Sequence, residues 1–197
     1  GFPVTIVRPS TTYAVRSGLI RQIGPGLEWL DRIRKGKPIL VYGEGTPLHQ
    51  FLHADDTAVL FAAILESDGA VAGEIFNAVA DSALAWRDYH RMVMRAFARE
   101  VEQVSIPLFL LRRGIPHRFG EMGAHNLWFS GEKARRFFPD FRPRIGLEAG
   151  IRQVVDRLEK EGRIPPCEES PWEDEAIEIL RKTGDALQSL GMGGKPV

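Results

Sequence analysis

The stretch that decides the fold is residues 4–13, which read VTIVRPSTTY. Residues 4–7 are β-branched and form a short apolar run, which predicts a strand buried on both faces of a parallel sheet. Such a strand needs a neighbour on each side, yet this one lies almost at residue 1. We therefore expect the chain to be the C-terminal portion of a longer protein. A processed or tag-cleaved N-terminus on a complete edge strand is the alternative.

Strand and helix patterns alternate through the rest of the chain. Residues 39–42 predict a short strand, 43–47 a turn, and 48–52 either a strand that returns from the turn or an extended segment. Residues 59–65 are apolar almost all round and predict a deeply buried helix with Asp55 as its N-cap. Strands are also predicted over 73–78 and 104–107, and helices over 27–34, 86–97, 108–113, 131–138, 147–158 and 173–190.

Composition excludes several function classes. The 197 residues contain 26 Lys plus Arg and 26 Asp plus Glu, so no basic excess points to a nucleic-acid partner. No apolar run approaches the roughly 18–20 residues that span a bilayer, and no secretory signal opens the chain, so no membrane partner is expected. The single cysteine, Cys167, fits a reducing compartment, and we expect a cytoplasmic protein. The five histidines lack metal-ligand spacing, and no metal site is predicted.

Five segments, in order, resemble the extended short-chain dehydrogenases/reductases, which are the NAD-dependent epimerase/dehydratase family. The resemblance covers about residues 1–160 and implies an α/β fold. That fold is the C-terminal part of a Rossmann-type doubly wound sheet plus a small mixed α/β substrate-binding domain. The segments are VTIVRPSTTY at 4–13, ILVYGEGTPLHQFLHADD at 39–56, EIFNA at 74–78, RFGE at 118–121 with WFSGEKA at 128–134, and FPDF at 138–141 running on to residue 151.

The resemblance also implies a division of the chain. Residues 1–13 and 39–80 would be the last elements of the nucleotide-binding sheet. Residues 14–38 and 81–160 would form the substrate-binding part, and 161–197 a C-terminal extension with a helix.

Six positions match functional positions of the family. Pro9 and Ser10 match the strand end that approaches the nicotinamide, and ligands of open α/β sheets do bind at the carboxyl ends of strands. The substrate-binding positions are Thr11, where the family often has Asn, Tyr13, His49, where it often has a diphosphate-binding Arg, and Arg118, which matches a second anion-binding Arg.

The family's catalytic features are absent from this sequence. It has no G-x-G-x-x-G fingerprint, and none of its three tyrosines has Lys four residues later. No catalytic residue is therefore predicted here. The resemblance implies a parent that is an NAD- or NADP-dependent epimerase, dehydratase or reductase acting on a sugar-like or other hydroxylated substrate. The alternative is a catalytically inactive relative that acts as a binding or regulatory protein.

Two departures bear on the substrate. Histidine at position 49 is shorter than arginine and mostly neutral at pH 7, and Ala14 stands where the family usually has Gly. Either the substrate is not a typical nucleotide-sugar or the site has drifted. We expect His49 and Arg118 to face one cleft above Ser10 and Thr11, and ligand binding to strengthen below about pH 6.5. A homo-oligomer, or association with the N-terminal half of the parent, is also expected.

Overall fold

Parallel strand pairs and helices alternate along the chain in the computed structural model, which describes residues 3–114 and 121–190. The strands are β1 Ile6–Pro9, β2 Thr11–Tyr13, β3 Ile39–Tyr42, β4 Leu48–His49, β5 Phe51–His53, β6 Ile75–Ala78, β7 Leu84–Ala85 and β8 Gln103–Ile106. The helices are α1 Glu28–Lys35, α2 Ala54–Glu66, α3 Trp86–Ala96, α4 Leu108–Gly114, α5 Glu132–Phe137, α6 Leu147–Lys160 and α7 Trp172–Ser189. Short 3₁₀ turns span Glu121–Ala124 and Cys167–Glu169.

The strands pair mostly in parallel. β1 pairs with β6, β2 with β5 and β3 with β8, each in parallel, while β4 and β7 pair antiparallel. The carboxyl ends of β1 and β6 coincide, because Pro9 lies opposite Ala78. The predicted α/β fold class, with pieces of a parallel sheet, is confirmed.

The largest buried hydrophobic cluster packs helices α1, α3 and α6 together. Helix α6 is amphipathic, and its apolar residues Ile151, Val154 and Val155 pack in one cluster with Trp29 of α1 and Tyr89 of α3. Helix α1 ends at Gly36, whose φ of 76° is the left-handed conformation that glycine adopts at helix ends. The helices predicted at these positions are therefore present, with ends shifted by one or two residues.

The opening strand differs from its prediction. β1 begins at Ile6 rather than Val4, and Ile6 is 47% exposed instead of buried. Among the described residues, β1 pairs with β6 along one edge, and Val4 is also exposed. An apolar strand composition predicts burial only where a neighbour covers the strand, and here one side of β1 has none in the described chain.

The deep burial that the sequence predicts for helix α2 is wrong. Leu60 is fully buried, but Val59 and Phe61 are exposed and Leu65 is 80% exposed. Helix α2 packs on the sheet only through the narrow stripe that contains Leu60. Its other sides are exposed because, within the described chain, no second apolar surface covers them.

The predicted cap of α2 is also wrong. The N-cap is His53, whose Nδ1 accepts a hydrogen bond from the backbone N–H of Asp55, while Asp55 itself points into solvent. Asp56 is the buried carboxylate, and it accepts from the backbone N–H groups of Arg144 and Ile145 at 2.9 and 3.1 Å. This acidic side chain therefore ties α2 to the loop before α6.

The segment after the turn at 43–47 does not return along β3. Its residues form β4, which pairs with β7, and β5, which pairs with β2, while β3 pairs with β8. The extended conformation was predicted correctly, but its partners are distant in sequence. No helix in the described chain combines the length and apolarity that crossing a bilayer requires.

Candidate functional site

A cleft of about 730 Å³ opens where β1 ends and β2 begins. It lies at the carboxyl end of the β1–β6 pair, where ligands of open α/β sheets bind. Its walls combine polar and aromatic side chains, among them Ser10, Thr11, Arg21, His49, Trp86 and Phe129.

The backbone of Ser10 is fixed while its hydroxyl is left without a partner. The Ser10 N–H donates to the carbonyl of Ala78 at 2.9 Å, which extends the β1–β6 ladder by one residue. The Thr12 hydroxyl donates to the carbonyl of Ser10. The Ser10 Oγ is buried without a hydrogen-bond partner among the described residues. A buried hydroxyl without a partner is costly, so this atom can accept or donate to a ligand at the strand end.

His49 is buried at the floor of the cleft, with both ring nitrogens engaged. Its Nε2 lies 3.0 Å from the carbonyl oxygen of Met122, and its Nδ1 lies 3.4 Å from the Thr11 hydroxyl. A carbonyl only accepts, so Nε2 carries the proton, and the neutral ring then accepts at Nδ1 from Thr11. Burial lowers the pKa of His49, although hydrogen bonds to backbone groups of Met122 and His125 oppose the shift. The ring is therefore a neutral orienting group for Thr11.

Aromatic rings flank His49. The indole of Trp86 lies 4.6 Å from the imidazole between ring centroids, and Phe51 stands edge-on to Trp86 at 5.0 Å. Phe129 also lines the cleft. Trp86 and Phe51 are buried in the core, so the exposed ring among these is Phe129. An apolar ring face beside hydroxyl and amide groups suits a polyhydroxylated ring, whose C–H face packs on an aromatic surface while its hydroxyls form hydrogen bonds.

Two buried glutamines fix the loops that line the cleft, and the sequence predicted neither of them. Gln22 donates to the carbonyl of Gly123 and accepts from the backbone N–H of Tyr42. Gln50 donates to the carbonyls of Ala80 and Phe129 and accepts from the Phe129 N–H. Their partners lie 20 to 101 residues away, so no local sequence pattern could have identified them.

Arg21 is a third site residue that the sequence did not reveal. It lines the cleft, and its guanidinium forms two hydrogen bonds with the carboxylate of Glu173 on α7, at 2.7 and 2.6 Å. Both side chains are buried. The Glu173 carboxylate also accepts from the backbone N–H of Leu40 at 2.7 Å.

The sequence-predicted residues divide into three groups. Pro9, Ser10, Thr11 and His49 lie together along the cleft, as the resemblance implied. Tyr13, predicted to contact substrate, does not line the cleft, because its phenol is fully buried in the core and lies edge-on to His53. Arg118 lies outside the described residues, and so does the predicted sharing of one cleft by His49 and Arg118.

One cluster in the described chain has metal-ligating side chains close together: Asp31, Cys167 and Glu168. The Asp31 carboxylate, however, is already bonded to Arg34, Lys35 and the backbone N–H of Cys167. The Asp31 carboxylate therefore has a structural role, because it connects α1 to the 3₁₀ turn that follows α6.

Comparisons with known proteins agree with this architecture. Residues 1–78 match the model of the NAD dependent epimerase/dehydratase family. Over 102 residues the chain is 28% identical to 2'-dehydrokanamycin reductase of Streptomyces kanamyceticus, a match that covers 52% of this chain and 29% of that protein. The chain thus spans less than a third of this curated relative.

Solved structures share the fold at low sequence identity. UDP-glucuronic acid 4-epimerase from Bacillus cereus, in complex with UDP-glucuronic acid and NAD, has a TM-score of 0.62 at 19% identity, over 81% of this chain and 46% of that one. UDP-glucose 4-epimerase from Thermotoga maritima, with UDP-glucose, has a TM-score of 0.60 at 16% identity, over 80% of this chain and 46% of that one. The chain spans about half the length of each.

The family match lies at β1 to β6, which contain the strand end and the His49 segment on which the resemblance rests. The solved structures extend the same fold through four-fifths of the chain. Together they confirm the resemblance of this chain to the NAD-dependent epimerase/dehydratase family of short-chain dehydrogenases/reductases.

Proposed function

We propose that this chain is the substrate-binding portion of an NAD- or NADP-dependent epimerase, dehydratase or reductase that acts on a sugar-like substrate. The observation that carries the proposal is the cleft at the carboxyl end of β1, with the unpartnered hydroxyl of Ser10, the oriented hydroxyl of Thr11 and the exposed ring of Phe129 around it. The similar epimerases bind UDP-glucuronic acid and UDP-glucose, which supports a substrate with a sugar ring.

The residues at the strand end fit a dinucleotide. Pro9 and Ser10 would border the nicotinamide, and the unpartnered Ser10 Oγ offers it a hydrogen bond. When bound, the dinucleotide supplies the hydride chemistry. In the proposed protein, residues outside this chain provide the glycine-rich loop and the Tyr-x-x-x-Lys pair, since neither occurs in the 197 residues.

This chain's own residues bind and orient the substrate. Thr11, fixed by His49, presents its hydroxyl lone pairs to a substrate hydroxyl, and Phe129 packs against a ring face and excludes water. Gln22 and Gln50 keep the loops at Gly123 and Phe129 in place, so that the cleft is shaped before the ligand arrives.

Binding of UDP-glucose, followed by NMR on the 197-residue chain, tests the substrate part. We expect shift changes at the backbone amides of Ser10, Thr11 and Phe129, and binding weakened about tenfold by Thr11→Val, which removes one hydrogen bond at constant shape. Thr183→Val, on the exposed face of α7, is the matched control and should bind normally. Shift changes that avoid the cleft would refute the proposal.

The cofactor part has its own test. Because the glycine loop that holds the pyrophosphate is absent from the sequence, the chain should bind NAD or NADP no tighter than about 1 mM. A micromolar dissociation constant in calorimetric titration would contradict the proposed division of labour.

The surface around β1 supports association with further protein. Val4, Ile6, Phe61, Leu65 and Ile75 are exposed on β1, α2 and β6 or beside them. Unpaired strand edges and apolar surface promote pairing with another chain, here the N-terminal half of the parent or a second copy. We expect concentration-dependent self-association in sedimentation, and a monodisperse monomer with a cooperative melt would count against the proposed C-terminal portion.

A further inference from the structure

The guanidinium of Arg21 has more N–H groups than its partners in the described chain accept. An arginine has five N–H groups. In the described chain, one on Nη1 and one on Nη2 bond to Glu173, and the other on Nη2 points to the carbonyl of Leu40 at 3.4 Å. Within the described chain no hydrogen bond engages the Nε–H, and Arg21, although 7% exposed, lines the cleft.

Helix α7 determines where this guanidinium lies. Glu173, in the first turn of α7, is buried and receives three hydrogen bonds: two from Arg21 and one from the backbone N–H of Leu40 on β3. The indole of Trp172, one residue earlier, lies 5.9 Å below the Arg21 guanidinium. Asp174 adds ion pairs to Arg32 and Lys37, which fasten the same turn to α1.

Two carboxylates compensate two arginines here. Glu173 lies 2.6 Å from Arg21 and 3.7 Å from Nε of Arg32, while Asp174 lies 2.8 Å from Nη2 of Arg32. The hydrogen-bonded partner of Arg21 is therefore Glu173, in a buried setting where charge compensation is strong. What Arg21 offers the cleft is therefore directed N–H donors rather than a free positive charge. Such donors suit a hydroxyl or carbonyl oxygen, whereas a diphosphate would have to compete with the Glu173 carboxylate for the guanidinium.

We propose that Arg21 binds an uncharged oxygen of the sugar-like ligand in the cleft, and that Glu173 of the C-terminal helix is its positioning residue. This inference rests on the proposed function and specifies which ligand group lies against Arg21. That group is a hydroxyl or carbonyl oxygen of the sugar-like ring, and no diphosphate lies at that position. It also makes α7, beyond the part of the chain covered by the family resemblance, a component of the binding site.

The test uses the Nε–Hε NMR signal of Arg21, assigned by its loss in Arg21→Lys, on the 197-residue chain. Methyl α-D-glucopyranoside and inorganic pyrophosphate are the two probes. We expect the glucoside to shift this signal together with the amides of Thr11 and Phe129, and pyrophosphate to leave it unchanged. In Glu173→Gln, which frees the guanidinium charge, pyrophosphate should bind about tenfold more tightly.

Controls separate positioning from folding. Glu178→Gln, on the exposed side of α7 where it pairs with Lys182, should behave as the parent chain with both probes. Circular dichroism melting tests whether Glu173→Gln is folded. If this variant is unfolded, Arg21→Lys replaces it in the test, because it keeps the ion pair and loses Nε–H. We expect Arg21→Lys to weaken glucoside binding about tenfold and to leave pyrophosphate binding unchanged.

The outcomes distinguish the two proposals. Glucoside shifts at Thr11 and Phe129 with no change at Arg21 Nε would overturn the role of Arg21 and leave the proposed function standing. Pyrophosphate binding equal in the parent chain and in Glu173→Gln would overturn charge compensation by Glu173. If neither probe shifts any residue of the cleft, the proposed function itself fails, and this inference with it.

Discussion

The phenol oxygen of Tyr13 occupies the space that a side chain at position 150 would need. Gly150 lies in the first turns of α6, and a Cβ atom built there would overlap the Tyr13 hydroxyl and press on Ile145. The absence of a side chain at one helix position therefore lets β2 and α6 approach each other.

Substitution of this glycine tests the contact. We expect Gly150→Ala to lower the free energy of unfolding by about 1–3 kcal/mol, because Tyr13 is buried among the core residues and cannot move aside freely. Gly184→Ala is the matched control: it is also helical, nothing lies near its Cβ position, and it should stabilise by about 0.5–1 kcal/mol. Urea unfolding measures both free energies. If Gly150→Ala left the free energy of unfolding unchanged, the close approach of β2 and α6 would be disproved.

The neighbouring carboxylates of α2 provide a second matched pair. Asp56→Asn replaces one accepting oxygen by an amide nitrogen opposite the N–H groups of Arg144 and Ile145, at a cost of about 1–3 kcal/mol. Asp55→Asn removes the same charge from the same helix turn but no buried hydrogen bond, and should cost less than about 1 kcal/mol. Chemical denaturation distinguishes the two, and equal losses would mean that Asp56 acts through the helix dipole alone.

Acid stability should depend on Asp31. Burial would raise the pKa of Asp31, but hydrogen bonds from Lys35, the Cys167 backbone and Arg34 lower it far below its usual range. A depressed pKa gives stability that is present above the unfolded value near 4 and is lost as pH falls further. Asp31→Asn should flatten the decline of stability below about pH 4, and Asp156→Asn, at an exposed position of α6, should not.

The protonation of His49 can be read directly from ring nitrogen NMR shifts. Because burial lowers its pKa, we expect the neutral form with the proton on Nε2 at pH 6.5, and titration only below that value. The pH window expected for ligand binding therefore moves to more acidic conditions than the ordinary histidine value suggested. A midpoint at or above 6.5 would contradict the buried, carbonyl-bonded ring.

Local pattern was sufficient for much of the fold. The β-branched run at 4–7, the spacing of apolar residues in α3 and α6, and Gly36 after α1 each depend on neighbours within a few residues. Such features predict element type and approximate ends. The resemblance added the strand end at Pro9 and Ser10 and the position of His49, and these do lie together along the cleft.

Tertiary structure decided which of these elements and side chains are covered, and by what. The exposure of α2, the burial of Tyr13 away from the cleft and the partners of Asp56 depend on surfaces that arrive from distant parts of the chain. The pairing of Arg21 with Glu173 joins residues 152 positions apart. A sequence specifies which residues can pair, but a buried ion pair depends on distances, and only the packing of α7 against β3 sets them.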